Sequence, residues 1–281
     1  SLVGSEMCIR DSINAEKIQM KNYLNKLNDS SYVVIPSLID IDKLEGFYDT
    51  YVRFLLKVSK YIGLIPTSDS SYYLRHQLVI EIYKKSPDAG AFIYDTFNRH
   101  VSFYAFFNDK KILEVAALLC NTDSIDDLAV TEHQFFISPP QAESDKNLLG
   151  WHQDSGYFSE FSSRFDSLTC WFSLEDCSPD DGALWVVEGS HKSGIIKHKS
   201  NAFGAHKDTE INKRGSVYLD SEQVDENKAI QINLNRGDAA FIKFNTIHKS
   251  GLNIGDMIRY TSLARFSNIY GEGFINKYGM W

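Results

Sequence analysis

Residues 148–158 read LLGWHQDSGYF and set His152 and Asp154 two positions apart in apolar, glycine-bounded surroundings. In an extended strand, residues i and i+2 point to the same face. An imidazole and a carboxylate at that spacing can therefore be presented side by side to an enclosed interior, as two of the three protein ligands of a non-haem iron centre. The spacing alone is unspecific, because His206 and Asp208 repeat it. That second pair stands in the polar, loop-like FGAHKDTEINKRGS and reads as solvated. The first lies among strand-like runs.

Those runs fix the fold class. After residue 128, VTEHQFFIS, SLTCWFSLE, ALWVVE, AIQINL, DAAFIKF and IRYTSLARF follow one another, separated by turns such as SPDDG and NRGD. They do not alternate with helices, which disfavours a doubly wound parallel sheet and favours an antiparallel sandwich or barrel. Before residue 128 the pattern is mostly helical, after a short strand YVVIP at 32–36. From Asp42, apolar residues Leu44, Phe47, Tyr48, Tyr51, Leu55 and Val58 recur at helical spacing, with Asp42 and Glu45 resembling a capping box. Further helices are expected over about residues 71–84, 88–107 and 109–120. The polar stretch 192–228 reads as a long loop.

Composition narrows the function class. The chain has 281 residues, 43% hydrophobic and 23% charged, with a formal net charge of −8. No basic block offers a nucleic-acid surface. No apolar run reaches the roughly 18–20 residues that a bilayer crossing needs. Four cysteines without C-x-x-C spacing suggest a reducing compartment, the cytoplasm by default, and neither a disulfide framework nor a zinc-thiolate site. The first sixteen residues, SLVGSEMCIRDSINAE, resemble a translated sequencing adaptor, and residues 1–19 are expected to be non-native or disordered. Residues 20–281 are expected to form a single domain, helical over 38–127 with a β core over 128–268.

A third ligand candidate is His248, at a strand end in NTIHKSGLN; His76, His100, His133, His191 and His198 lie on expected helices, in loops or on a strand's alternate face. Eleven residues on, Arg259 begins a strand with Thr261 and Leu263 on its own face. A guanidinium facing inward needs an anion, since burying an unpaired charge costs several kcal/mol, and its two parallel N–H groups suit a carboxylate. A salt bridge to an acidic side chain is the competing reading. Arg164, Arg265 and the lysines of 192–228 read as solvated surface charge rather than as contacts to an anionic substrate.

WHQDSGYF, SLTCWFSLEDCSPDDGALWVVEGSHK and FNTIHKSGLN followed by IRYTSLARF, in that order, resemble the phytanoyl-CoA dioxygenase family, and DSSYVVIPSLIDIDKLEGF resembles its N-terminal strand and helix. The resemblance covers roughly residues 28–268. It implies a mainly β fold with a helical N-terminal part: a double-stranded β-helix (jelly roll, cupin-like) flanked by α-helices. It also implies iron(II) held by His152, Asp154 and His248, with 2-oxoglutarate and O2 as co-substrates. Arg259 would take the distal carboxylate of 2-oxoglutarate, with Ser250, Trp171 and Gln134 lining its pocket. Because related halogenases lack the carboxylate ligand, Asp154 favours hydroxylation or another oxidation of a small-molecule substrate, with release of succinate and CO2. A metal-dependent isomerase or hydrolase that does not use 2-oxoglutarate, and a non-catalytic binding scaffold, remain as alternatives.

Overall fold

The alternating texture after residue 128 resolves into strands whose two faces meet different partners. The structure, a computed structural model, describes residues 18–140, 149–157, 166–201 and 216–271. Its strands, in chain order, are β1 (Tyr32–Ile35), β2 (Leu128–Ser138), β3 (Ser167–Ser173), β4 (Leu184–Val187), β5 (Lys199–Asn201), β6 (Ser216–Tyr218), β7 (Ala229–Ile232), β8 (Ala239–Lys243), β9 (His248–Lys249) and β10 (Arg259–Asn268). The larger sheet has the order β1-β8-β3-β10-β2 and is antiparallel throughout. A smaller antiparallel sheet, β7-β4-β9, accompanies it, with a separate hairpin-like pair, β5-β6.

On one face of the large sheet, Phe135, Leu168, Cys170, Phe172, Tyr260 and Phe266 pack against the helices. On the other, Trp171, Ala240, Ile242 and Leu263 pack against Leu184, Val186, Ile232 and Leu234 of the small sheet's side. Strand β3 is buried at every residue because it serves both cores. The strict period of two thus sorts side chains between a helical backing and an interior lined by both sheets. On β10 the interior set is Arg259, Thr261, Leu263 and Arg265.

The helical layer comprises α1 (residues 18–30), α2 (Ile41–Tyr61), α3 (Leu78–Lys85, entered through a π-turn at Tyr73–Gln77), α4 (Pro87–Phe97), α5 (Val101–Phe107) and α6 (Lys110–Leu119). Helix α2 buries the stripe read from the sequence, Leu44 through Val58, but its N-cap is Asp40, whose carboxylate accepts from the Asp42 N–H. Glu45 makes no capping box, because its carboxylate is taken by Arg75 and Arg236. The helix expected over 88–107 is two helices. Asn98 breaks it by turning its amide onto edge strand β2, donating to the Phe135 carbonyl at 3.2 Å and accepting from the Phe135 N–H at 2.6 Å. His100 then caps α5. The break satisfies backbone groups of an edge strand that would otherwise be open to pairing.

The stretch 192–228 is less featureless than expected, since β5 and β6 pair across it; the His206–Asp208 pair and Arg164 lie outside the described residues, as does the expected non-native segment up to residue 17. No helix among the described residues is long and apolar enough to cross a membrane.

Candidate metal centre

His152 and His248 are direct cross-strand neighbours. Each backbone N–H donates to the other's carbonyl at 2.9 Å, the reciprocal exchange of an antiparallel hydrogen-bonded pair. That pairing puts both rings on one side, with centroids 4.2 Å apart. The Nδ1 of His152 lies 2.8 Å from the Gly150 carbonyl, and the Nδ1 of His248 lies 2.9 Å from the Thr246 carbonyl. A carbonyl only accepts, so both Nδ1 atoms carry the proton and both Nε2 lone pairs are left for a metal.

Asp154 joins them, although its segment is not the strand expected. His152 forms an isolated bridge and Asp154 opens a 3-10 turn, Asp154–Gly156. The two side chains still converge because the residue between them, Gln153, is extended (φ −113, ψ 141). One ligand atom from each of His152, Asp154 and His248 lies within 4.8 Å of the others, and all three residues are buried. Two imidazoles and one carboxylate form the donor set of a non-haem iron(II) centre with positions left open, so the residues present fit that ion.

The turn is clamped from behind. The Gln153 amide donates to the Gly194 and Asn245 carbonyls at 2.9 and 2.7 Å and accepts from the Ile196 N–H at 2.8 Å. The Gln153 backbone N–H donates to Nε2 of His198 at 2.9 Å. The His198 ring passes so close to Gly156 that a Cβ there would sit 2.9 Å from it. The sequence offered His198 only as a loop histidine; it holds the turn that carries Asp154.

Electrostatics keep the donors ready. Burial, reinforced by the neighbouring His248, lowers the His152 pKa to about 3, so its imidazole is neutral at physiological pH. Burial pushes the Asp154 carboxyl up, but the charge and hydrogen bond of the Arg265 guanidinium outweigh it and hold the group well below the usual carboxylate range.

Arg259, 7% exposed, faces the same interior. Its Nη2 donates to the Ser138 hydroxyl at 3.2 Å, whereas Nε and Nη1 have no hydrogen-bond partner among the described residues. No acidic side chain among those residues forms an ion pair with it. Burial lowers its pKa, and Cys177 and Asp181 offset that only in part. Gly182, at φ +82, leaves room for this guanidinium: a Cβ would come within 2.9 Å of Nη1.

A sequence profile of the phytanoyl-CoA dioxygenase family matches residues 32–261. The chain belongs to that family. It is 23% identical over 232 residues to the human peroxisomal phytanoyl-CoA dioxygenase, covering 80% of this chain and 61% of that protein. To the rat phytanoyl-CoA dioxygenase domain-containing protein 1 it is 30% identical over 110 residues, 38% of this chain and 35% of that one. The chain thus spans less than two thirds of the human relative. Among solved structures, EvdO2 from Micromonospora carbonacea var. aurantiaca complexed with 2-oxoglutarate matches with a TM-score of 0.58 at 16% identity, over 88% of this chain and 90% of that one. The epimerase SnoN, in complex with Fe3+, alpha-ketoglutarate and nogalamycin RO, matches with a TM-score of 0.52 at 15% identity, over 91% and 86%. These structural likenesses establish the fold. The cofactors of the family are iron(II), 2-oxoglutarate and O2.

The other residues named through the family resemblance sit as follows. Gln134, Leu263 and Trp171 form one row across β2, β10 and β3, between the rows that hold the two interior arginines. Gln134 donates to the Tyr94 hydroxyl at 2.6 Å, and Trp171 packs in the cluster between the sheets. The Ser250 N–H donates to the Leu149 carbonyl at 3.1 Å, so the pairing through His248 continues to it. Arg265 overturns its sequence reading. It is buried, not solvated, and pairs with Asp154 at 2.7 Å and Glu132 at 2.6 Å. Its even spacing from Arg259 was the available signal.

Proposed function

We propose that this chain is an iron(II)- and 2-oxoglutarate-dependent oxygenase that hydroxylates an aliphatic carbon of a small-molecule substrate. We read its two sheets as the halves of a double-stranded β-helix within a single domain spanning residues 20–281. The three buried thiols Cys120, Cys170 and Cys177, all free, support a reducing compartment such as the cytoplasm.

One observation carries the reading: a buried two-histidine, one-carboxylate cluster and a buried guanidinium that has no carboxylate partner among the described residues face the same interior. In this reading His152 and His248 supply Nε2 donors, Asp154 supplies one carboxylate oxygen, and Arg259 takes the distal carboxylate of 2-oxoglutarate through its unpartnered N–H groups. Ser250, Trp171 and Gln134 would wall the co-substrate between them. When bound, iron(II) with 2-oxoglutarate and O2 supplies the oxidising chemistry, converting the keto acid to succinate and CO2 as the substrate is hydroxylated. The protein's part is placement and exclusion of water: Asp154 is fully buried, and Trp171 and Leu263 are buried in the apolar cluster between the sheets.

Adding iron(II) and 2-oxoglutarate without oxygen should give a weak visible charge-transfer band in the wild type and none in His248→Ala. A missing wild-type band, or an undiminished one in the variant, overturns the assignment. A metal-dependent isomerase or hydrolase would instead keep its activity in Arg259→Ala, and a binding scaffold would release no succinate. A substrate library scored by stimulated succinate formation tests hydroxylation and names the substrate.

A further inference from the structure

Three side chains stand in one row on the interior face of the large sheet. Glu132 of β2 lies directly opposite Arg265 of β10, which lies directly opposite Thr169 of β3. The β10–β2 register slips immediately after Arg265, so the row sits at an irregularity in the pairing. Two of the three, Arg265 and Thr169, contact Asp154, and Glu132 holds Arg265. Arg265 Nη2 donates to Oδ1 at 2.7 Å, and its Nη1 reaches Glu132 Oε2 at 2.6 Å. The Thr169 hydroxyl donates to Oδ2, the oxygen that lies 4.0 Å from His248 Nε2.

The two carboxylate oxygens therefore have different surroundings. Oδ1 is turned onto a guanidinium, while Oδ2 faces the His248 imidazole and accepts from a hydroxyl. We propose that the Glu132–Arg265–Thr169 row is a positioning element that presents Asp154 to the metal through Oδ2 alone. This rests on the metal-centre reading above. A carboxylate free to rotate could chelate with both oxygens and take a coordination position that the keto acid and oxygen require. Arg265 suits the task because its planar guanidinium divides between two carboxylates, Nη2 to Asp154 and Nη1 to Glu132, which balances its charge and holds it in place. Thr169 selects which oxygen remains for the ion.

The test uses Mn(II) as the probe, with its dissociation constant read from the electron paramagnetic resonance signal of the free ion, and the melting temperature of each metal-free variant as the folding control. Removing groups that orient metal ligands weakens affinity on the order of 10–100-fold. Thr169→Val should show a loss in that range and Thr169→Ser should restore it, with similar metal-free melting temperatures. Arg265→Lys keeps the charge but loses the fork, and should weaken Mn(II) binding and diminish the anaerobic iron(II)–2-oxoglutarate band. Should Arg265→Lys fail to fold, the Thr169 pair still decides. Wild-type affinity retained by folded Thr169→Val overturns the positioning role and leaves the metal centre standing. A wild type that binds no Mn(II) overturns both.

Discussion

Arg259 and Arg265 occupy the same strand, face the same interior and are each 7% exposed, yet their circumstances are opposite. Arg265 lies between two carboxylates, and although burial opposes its charge, Asp154 and Glu132 more than compensate and raise its pKa. Arg259 meets a serine hydroxyl, and burial lowers its pKa. A buried charge with partners organises the protein around it. A buried charge with no carboxylate among the described residues leaves a demand for an anion unmet, which is the basis of the proposed 2-oxoglutarate anchor.

The sharpest way to break this contrast is to remove each arginine in turn. Arg265→Met leaves Asp154 and Glu132 facing an empty place, and the metal-free protein should lose about 3–5 kcal/mol in a denaturant titration. Arg259→Met abandons no carboxylate, so the same titration should move by less than about 1 kcal/mol or show a gain. Similar losses from both substitutions would erase the distinction.

The next effect lies in binding. Arg259→Ala should raise the 2-oxoglutarate concentration needed for half-maximal succinate formation by an amount on the order of 2–5 kcal/mol, the cost of truncating one partner of a buried charge pair. Arg259→Lys should fall between, since an ammonium cannot reproduce the two-pronged contact. Gly182→Ala should act at this end alone. It forces an alanine to φ +82 and crowds Arg259 Nη1, costing about 1–3 kcal/mol of stability with weaker 2-oxoglutarate binding, while Mn(II) affinity stays at the wild-type value.

Acid should distinguish the two ends most gently. The folded pKa of His152 is lowered to about 3 from an ordinary 6.5, so between those values the unfolded chain binds a proton that the folded chain refuses. Stability from this group is complete above pH 6.5 and is lost as pH falls toward 3, at no more than about 1.4 kcal/mol per pH unit. Asp154, also lowered, adds a loss of the same sign at more acid pH. Denaturation of metal-free protein at stepped pH should show this slope, and His152→Asn should flatten its upper part.

Much of the site was legible because its signals are local. The period of two in IRYTSLARF placed Arg259 inward, and the extended Gln153 brought His152 and Asp154 to one side even though a turn, not a strand, carries Asp154. The same alternation applied to Arg265, but a charged residue between Ala264 and Phe266 gave no hint of the carboxylates it meets. Gln153 and His198 were equally silent: their hydrogen bonds run to Gly194, Asn245 and each other's segments, far away in the chain. The helix expected over 88–107 was misjudged for a related reason, because Asn98 is diverted by strand β2 rather than by its own neighbours.

By itself the sequence determined which residue types could serve as ligands and anchors and which face of each strand they share, since side-chain direction follows from backbone period alone. Only the tertiary structure decided that His152 pairs with His248 and that, among the described residues, Arg259 meets no carboxylate where Arg265 meets two. Pairing and burial are long-range facts: whether a charge is satisfied depends on what the rest of the chain brings to it.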